Sequence, residues 1–453
     1  YLVGNTGTRS GSYLSGKDCH ARSSMNYDRI DQDTCSNVST IKRMVMLPVH
    51  HLPAKRPGDG MRLLEGVRVI DLTTSIAGPY ATMLLGDFGA DIVKIEKPGV
   101  GDDSRVWGPP FLDGESLWFL SVNRNKRSLT LDFSQPDGLA ALHALVKAAD
   151  VVVTNALPRV QKKLKIDHAS LTAVNPSLIF VSLTGFGLEG PRAERPCYDL
   201  IAEGYSSVMD LTGELAQDPQ KVGAPAADVL SGMDVALATA CALFHRERTG
   251  QGHLIDAALV ESMTRFMSSR IVTYLGSGDV PRRSGAKDSV IAVYQVFQTK
   301  DEPITLGLGN DNLFRRFCDA TGNTELGSDP RYATNVGRRA VRAELVARIQ
   351  TLLLTKPRAH WLALFDKAGV PAGPINRVDQ VAADPALIDR GLFYRLDTEG
   401  EPIPQVGLGM HVDGSSDTLR MRPPRLGEQS EAILREAGIA DDVIQSLRAK
   451  GIV

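Results

Sequence analysis

The chain has no excess of either charge. Its formal net charge is -2 over 453 residues, so nothing general draws it to nucleic acid or to an anionic membrane, and neither is expected as a partner. A polyanionic ligand would need a local basic cluster. Cysteines are few: five, at positions 19, 35, 197, 241 and 318, with no CxxC and no metal-like spacing to His. That argues against a disulfide framework and a zinc site, predicts no bound metal, and points to a reducing compartment. The compartment expected is the cytoplasm, or the mitochondrion in a eukaryote. No apolar run reaches the roughly 18 residues a membrane span needs. No internal repeat is found.

What is present suits a soluble α/β protein: 43% apolar and 23% charged residues, with 42 Gly and 25 Pro for many short connections. The length predicts more than one domain. Residues 1–60 are rich in Ser, Asn, Asp, Arg and Gly and show no period, so a disordered or mis-started extension is expected there. Asp18, Asp28, Asp31 and Asp33 count against a transit peptide, which would be poor in acid.

From Met61 strands and helices alternate. VRVID (67–71), DIVKIE (91–96), 150–153 and LIFVSL (178–183) read as buried strands. Helices are read from Gly78, over 136–149, over about 228–248 and over 260–275. The alternation predicts βαβ units and a mostly parallel sheet. A large domain is placed at 61–275 and a small α+β domain at 276–380, after the polar linker SGDVPRRS. Residues 381–453 form a C-terminal segment that returns to the large domain.

The first βα turn imitates a dinucleotide site, with Glu96 where a ribose-binding acid would lie. Yet G-x-G-x-x-G is absent, and Pro79 removes a backbone N–H that a phosphate would use. Basic residues do gather elsewhere: Lys97 after the second strand, Arg124, Lys126 and Arg127 in NRNKRS, and Arg159, Lys162, Lys163 and Lys165 after the third. They offer charge-assisted hydrogen bonds to phosphate, or they form a solvated face. Asp228 stands where a loop ends and a long apolar helix begins. Such an acid is either a reactive carboxylate kept ionised by helix N–H groups, or simply an N-cap.

Taken in order, LEGVRVIDLTTSIAGPYATMLLGDFGADIVKIEKPGVGDDSR, SVNRNKRSLTLD, LTGFGLEGP, YDLIAEGYSSVMDLTG, GAPAADVLSG, FHRERTGQGHLIDAALVESM and PPRLGEQSEAIL resemble the family III CoA-transferases over residues 61–453. WGPPF (107–111) and VNRNKRS look most like the branch that includes succinyl-CoA:glutarate CoA-transferase. The resemblance implies a Rossmann-like large domain, a smaller domain and an interlocked-ring homodimer. It also implies acyl-CoA metabolism, with a coenzyme A thioester as substrate and no permanently bound cofactor. Carried over by motif position, the catalytic carboxylate is Asp228, and CoA contacts fall at Ser75, Ile76, Lys97, Asn155, Lys163 and Tyr198. Racemases of the same superfamily carry a His where Tyr198 stands and a Glu where Asn310 stands; neither residue here suits proton exchange. A non-catalytic CoA-binding subunit is the other alternative. Arg105, Arg282 and Arg283 would either pair a second carboxylate on a dicarboxylic substrate or lie on the surface.

Overall fold

The computed structural model describes residues 47–58 and 60–453. Its centre is a six-stranded sheet: β1 Arg68–Asp71, β2 Asp91–Glu96, β3 Lys126–Thr130, β4 Val151–Thr154, β5 Ile179–Thr184 and β6 His253–Ala258, in the spatial order β3-β2-β1-β4-β5-β6. Every pairing is parallel, and β1 pairs with both β2 and β4, so the strand order reverses between β1 and β4. The strands read as continuous apolar runs because both faces are covered. Val69, Ile92, Val151, Val153, Ile179 and Val181 enter one core cluster, while Ile70, Val93, Val152 and Phe180 enter the other.

Helices α1 (Ala77–Asp87), α4 (Asp199–Tyr205), α5 (Ala226–Thr249) and α6 (Leu259–Phe266) contribute to the first cluster. The second is closed by α2 (Pro136–Lys147) and by the chain's end, through Ile433 and Leu434 of α11 (Ser430–Glu436) and Ile444 and Leu447 of α12 (Asp441–Ala449). Helix α3 (Pro158–Leu164) follows β4, and α7 (Ser268–Ser277) follows α6. The single helix expected over 260–275 is therefore two, broken at Met267. A separate core lies within residues 292–370. It joins β7 (Tyr294–Phe297), β8 (Ile304–Gly307) and β9 (Ala372–Pro374) to α8 (Asp311–Ala320), α9 (Arg342–Leu353) and α10 (Arg358–Ala368).

Three expectations need correction. The supposed extension to residue 60 is partly folded: Ala54–Lys55 pairs in parallel with β10 (Phe393–Leu396). The Arg395 guanidinium donates to the carbonyls of His50 and Leu52, both at 2.7 Å. Residues 1–46 of that expectation lie outside the described residues. Second, NRNKRS leads into the buried edge strand β3 and is not a phosphate cluster. Arg124 is buried and makes a two-pronged contact with Asp87 (2.9 and 2.5 Å). Lys126 is buried against Asp71 (3.1 Å), and Arg127 pairs with Asp91 (2.7 Å). Third, α5 is long and apolar enough to pass for a membrane span, with a mean hydropathy of 1.5 over 18 residues. It lies in the helix layer: Ala227, Ser231, Gly232, Val235, Thr239 and Leu243 are buried, while Met233, Leu237 and Phe244 are exposed on its other side.

Candidate active site

The loop between β1 and α1 is built on buried charge. Lys94 and Asp102, both without solvent exposure, pair at 2.7 Å, and Lys94 also donates to the Thr73 carbonyl at 2.8 Å. Burial works against the charge of each. For Lys94 the fields of Asp102, Asp71 and Glu96 outweigh it and raise the pKa; for Asp102, Lys94 and hydrogen bonds from Ser104 and Ser75 outweigh it and lower the pKa. One Asp102 oxygen accepts the Ser75 N–H (3.0 Å) and the Ser104 N–H (2.8 Å). Ser75 has φ 71°, a left-handed conformation that a non-glycine residue adopts only when held there. From the other side Asn155 grips Thr74, donating to its carbonyl (2.9 Å) and accepting its N–H (3.2 Å). An acid, an ammonium and an amide thus fix the shape of residues 73–75.

A cavity of about 340 Å³ opens beside this loop at the carboxyl ends of β1 to β3, lined by Thr73, Thr74, Glu96, Lys97, Asp102 and Leu164, among others. That volume suits part of a cofactor-sized ligand. Lys97 is exposed on its rim, and exposed Lys163 neighbours the lining Leu164. Tyr198 is 63% exposed at the N-cap of α4. Ile76 does not fit its predicted role. It is 3% exposed and packs with Met83 and Val122, so its side chain cannot face a ligand in this structure. Arg105 is likewise withdrawn: it is clamped to Glu96 at 2.7 and 2.8 Å and stacked on Phe119, which leaves no fork for a substrate carboxylate.

Helix α5 reaches this loop through a close approach. A Cβ on Gly232 would lie 2.8 Å from the Ala77 carbonyl oxygen at the start of α1. Asp228 is one turn earlier, on the same helix face. Gly232→Val should therefore force the helices apart, costing about 1–3 kcal/mol by overpacking. Transfer activity should fall at least tenfold with it, as read by thermal unfolding and steady-state rates.

Asp228 is not an N-cap. It lies inside the first turn, the N-cap is Pro225, and the terminal N–H groups of Ala227 (2.8 Å) and Asp228 (3.4 Å) point to a side-chain oxygen of Asp199. The expectation of a fully ionised carboxylate at neutral pH also fails. Burial first, and the neighbouring Asp199 second, push Asp228 up to about 7. The helix N–H groups that would have favoured its charge are already taken by Asp199. A carboxylate of raised pKa is more basic and so a stronger nucleophile once ionised. Cys197, beside the two acids, is pushed up to about 11 by burial and by their field, which keeps its thiol protonated. Asp199, the first residue of α4, thus caps α5 as well, a role absent from the sequence analysis. The signal available was the apolar turn AADVL, which supplies no capping side chain of its own. Among the described residues no group of three or more His, Cys, Asp or Glu is arranged to hold a metal.

A family model described as CoA-transferase family III matches residues 64–430. The chain belongs to CoA-transferase family III. Its relatives include the succinate–glutarate CoA-transferase of Agrobacterium fabrum, 40% identical over 382 residues, or 82% of this chain and 95% of that one. The human succinyl-CoA:glutarate CoA-transferase is 35% identical over 398 residues, 87% of this chain and 91% of its own. A crystal structure of a CAIB/BAIF family protein from Brucella suis superposes with a TM-score of 0.73 at 39% identity, covering 83% of this chain and all of that one. This CoA-transferase is an enzyme whose substrates are CoA thioesters. Asn310 caps α8 by accepting the Leu313 N–H at 2.9 Å.

Proposed function

We propose that Asp228 is the nucleophile of acyl transfer. Its carboxylate attacks the thioester carbonyl, giving a mixed anhydride and CoA thiolate. The thiolate attacks the aspartyl carbonyl of that anhydride, releasing the donor acid and leaving an aspartyl-CoA thioester. The acceptor carboxylate then reverses both steps, so the thioester's energy is kept and no proton has to be moved. The observation that carries this reading is an acid inside the first turn of α5 that caps nothing, has its pKa pushed up to about 7, and lies one turn before the close approach of α5 to α1. Lys97 and Lys163 supply charge for the CoA phosphates. Ser75 and Asn155 set the loop backbone against the ligand, and Tyr198 flanks the approach to Asp228.

The sheet order supports a Rossmann-like large domain with CoA at the strand-order reversal. The apolar side of α5 (Met233, Leu237, Phe244), with Val272 and Leu275 of α7, is exposed and suits the interlocked homodimer. The substrate class we propose is a dicarboxylyl-CoA donor such as succinyl-CoA with a short dicarboxylic acceptor, as the names of the relatives suggest. A mass-spectrometric exchange screen tests it: short mono- and dicarboxylic acids are offered to the enzyme with succinyl-CoA or acetyl-CoA. New thioesters should form with dicarboxylates from succinyl-CoA. Exchange confined to monocarboxylates would overturn the dicarboxylate assignment.

A further inference from the structure

Glu203 lies on α4 one turn after Asp199, so the two acids share a helix face. It has no solvent exposure. One carboxyl oxygen accepts the Val222 N–H at 2.9 Å; the other is buried with no hydrogen-bond partner. The charged groups that act on it are Asp199 on its own helix and Lys221 from the loop before α5. The Lys221 ammonium is exposed and donates to the Val222 carbonyl at 2.8 Å, so it does not neutralise the carboxyl directly. An ionised carboxylate with one buried, unsatisfied oxygen beside a second acid is costly. A neutral acid there has an O–H to direct at Asp199. Burial, followed by Asp199, raises the pKa of Glu203, which agrees with the geometry.

We infer that Glu203 is a positioning residue for the transfer reaction: a neutral buried acid that steadies the Asp199 carboxylate across the start of α5 and thereby sets the ionisation of Asp228. Asp199 receives the α5 N–H groups, and Glu203 also holds Val222, in the loop that leads into α5. It thus fixes both the charge next to the nucleophile and the entry of the nucleophile's helix. With Glu203 removed, the Asp199 charge that already raises the pKa of Asp228 is less balanced, and Asp228 ionises less readily. The inference rests on the reading of Asp228 as nucleophile.

The test is the pH profile of kcat/KM for the full-length enzyme, with succinyl-CoA as donor. Glu203→Gln preserves size and a neutral donor, and should keep the parent midpoint. Glu203→Met removes the donor, and should raise the midpoint by about one unit and lower kcat at least tenfold, with KM for the thioester unchanged. In an Asp199→Asn background, Glu203→Met should no longer move the midpoint. The inference is overturned by a Met variant with the parent profile, by a Gln variant that shifts as Met does, or by a shift that survives Asp199→Asn. If the Met variant does not fold, the Gln profile decides alone: a parent midpoint supports the neutral acid and a moved one overturns it. Failure of the underlying reading looks different, because Asp228→Asn would then still transfer CoA.

Discussion

Replacing Asp228 by Asn should abolish acyl transfer and, at neutral pH and above, make the protein more stable. The first effect follows from covalent catalysis. An amide cannot form the anhydride, so kcat should drop by about three orders of magnitude or more. CoA binding should survive, because Lys97, Lys163 and the residue 73–75 loop are untouched. Hydroxylamine added during turnover should trap the parent at position 228 and leave the variant unlabelled. The second effect follows from linkage. The folded carboxyl titrates at about 7 against an ordinary 3.8. Between these values the unfolded chain releases a proton that the folded one retains, so Asp228 lowers stability progressively as pH rises from about 4 to 7 and fully above that. The melting-temperature gain of Asp228→Asn should therefore be absent below pH about 4, grow through this window and level off above it. A gain that does not depend on pH would contradict the electrostatic account. Retained transfer would end the nucleophile assignment.

The sheet was legible wherever its strands are apolar on both faces: VRVID, DIVKIE and LIFVSL each fall within a residue or two of a strand. Strand β3 was not, and the reason is chemical. KRSLT begins with cations, and cations in sequence read as surface. Only the fold shows that Lys126 meets Asp71, and that Arg127 meets Asp91 and Glu436. Those partners are 36 to 309 residues distant along the chain, beyond the reach of any local pattern. The same holds at the site. Asp228 could be singled out by motif, but its raised pKa depends first on burial and then on the charge of Asp199, 29 residues earlier in the chain. Ile76 was assigned by motif alone, and its side chain turns inward against Met83 and Val122, which spacing does not reveal.

The charge buried under the β1–α1 loop should prove the most sensitive point of the fold. Asp102→Ala would leave Lys94, which has no solvent exposure, without its 2.7 Å partner. Stranding one member of such a pair costs about 3–5 kcal/mol, a large share of a typical domain's stability. It would also release Ser75, whose left-handed backbone has Asp102 as its acceptor. The KM for acyl-CoA should rise along with the loss of stability. A double replacement separates the two roles. Lys94→Met with Asp102→Leu removes both charges and fills the space with apolar groups, an exchange that is often close to neutral for stability. Unfolding measurements should then return most of the way to the parent value. The raised KM should persist, because no carboxylate remains to hold the Ser75 N–H. If the double variant instead regains parent KM, the loop is shaped by packing alone, and Asp102 matters only as the counter-ion of Lys94.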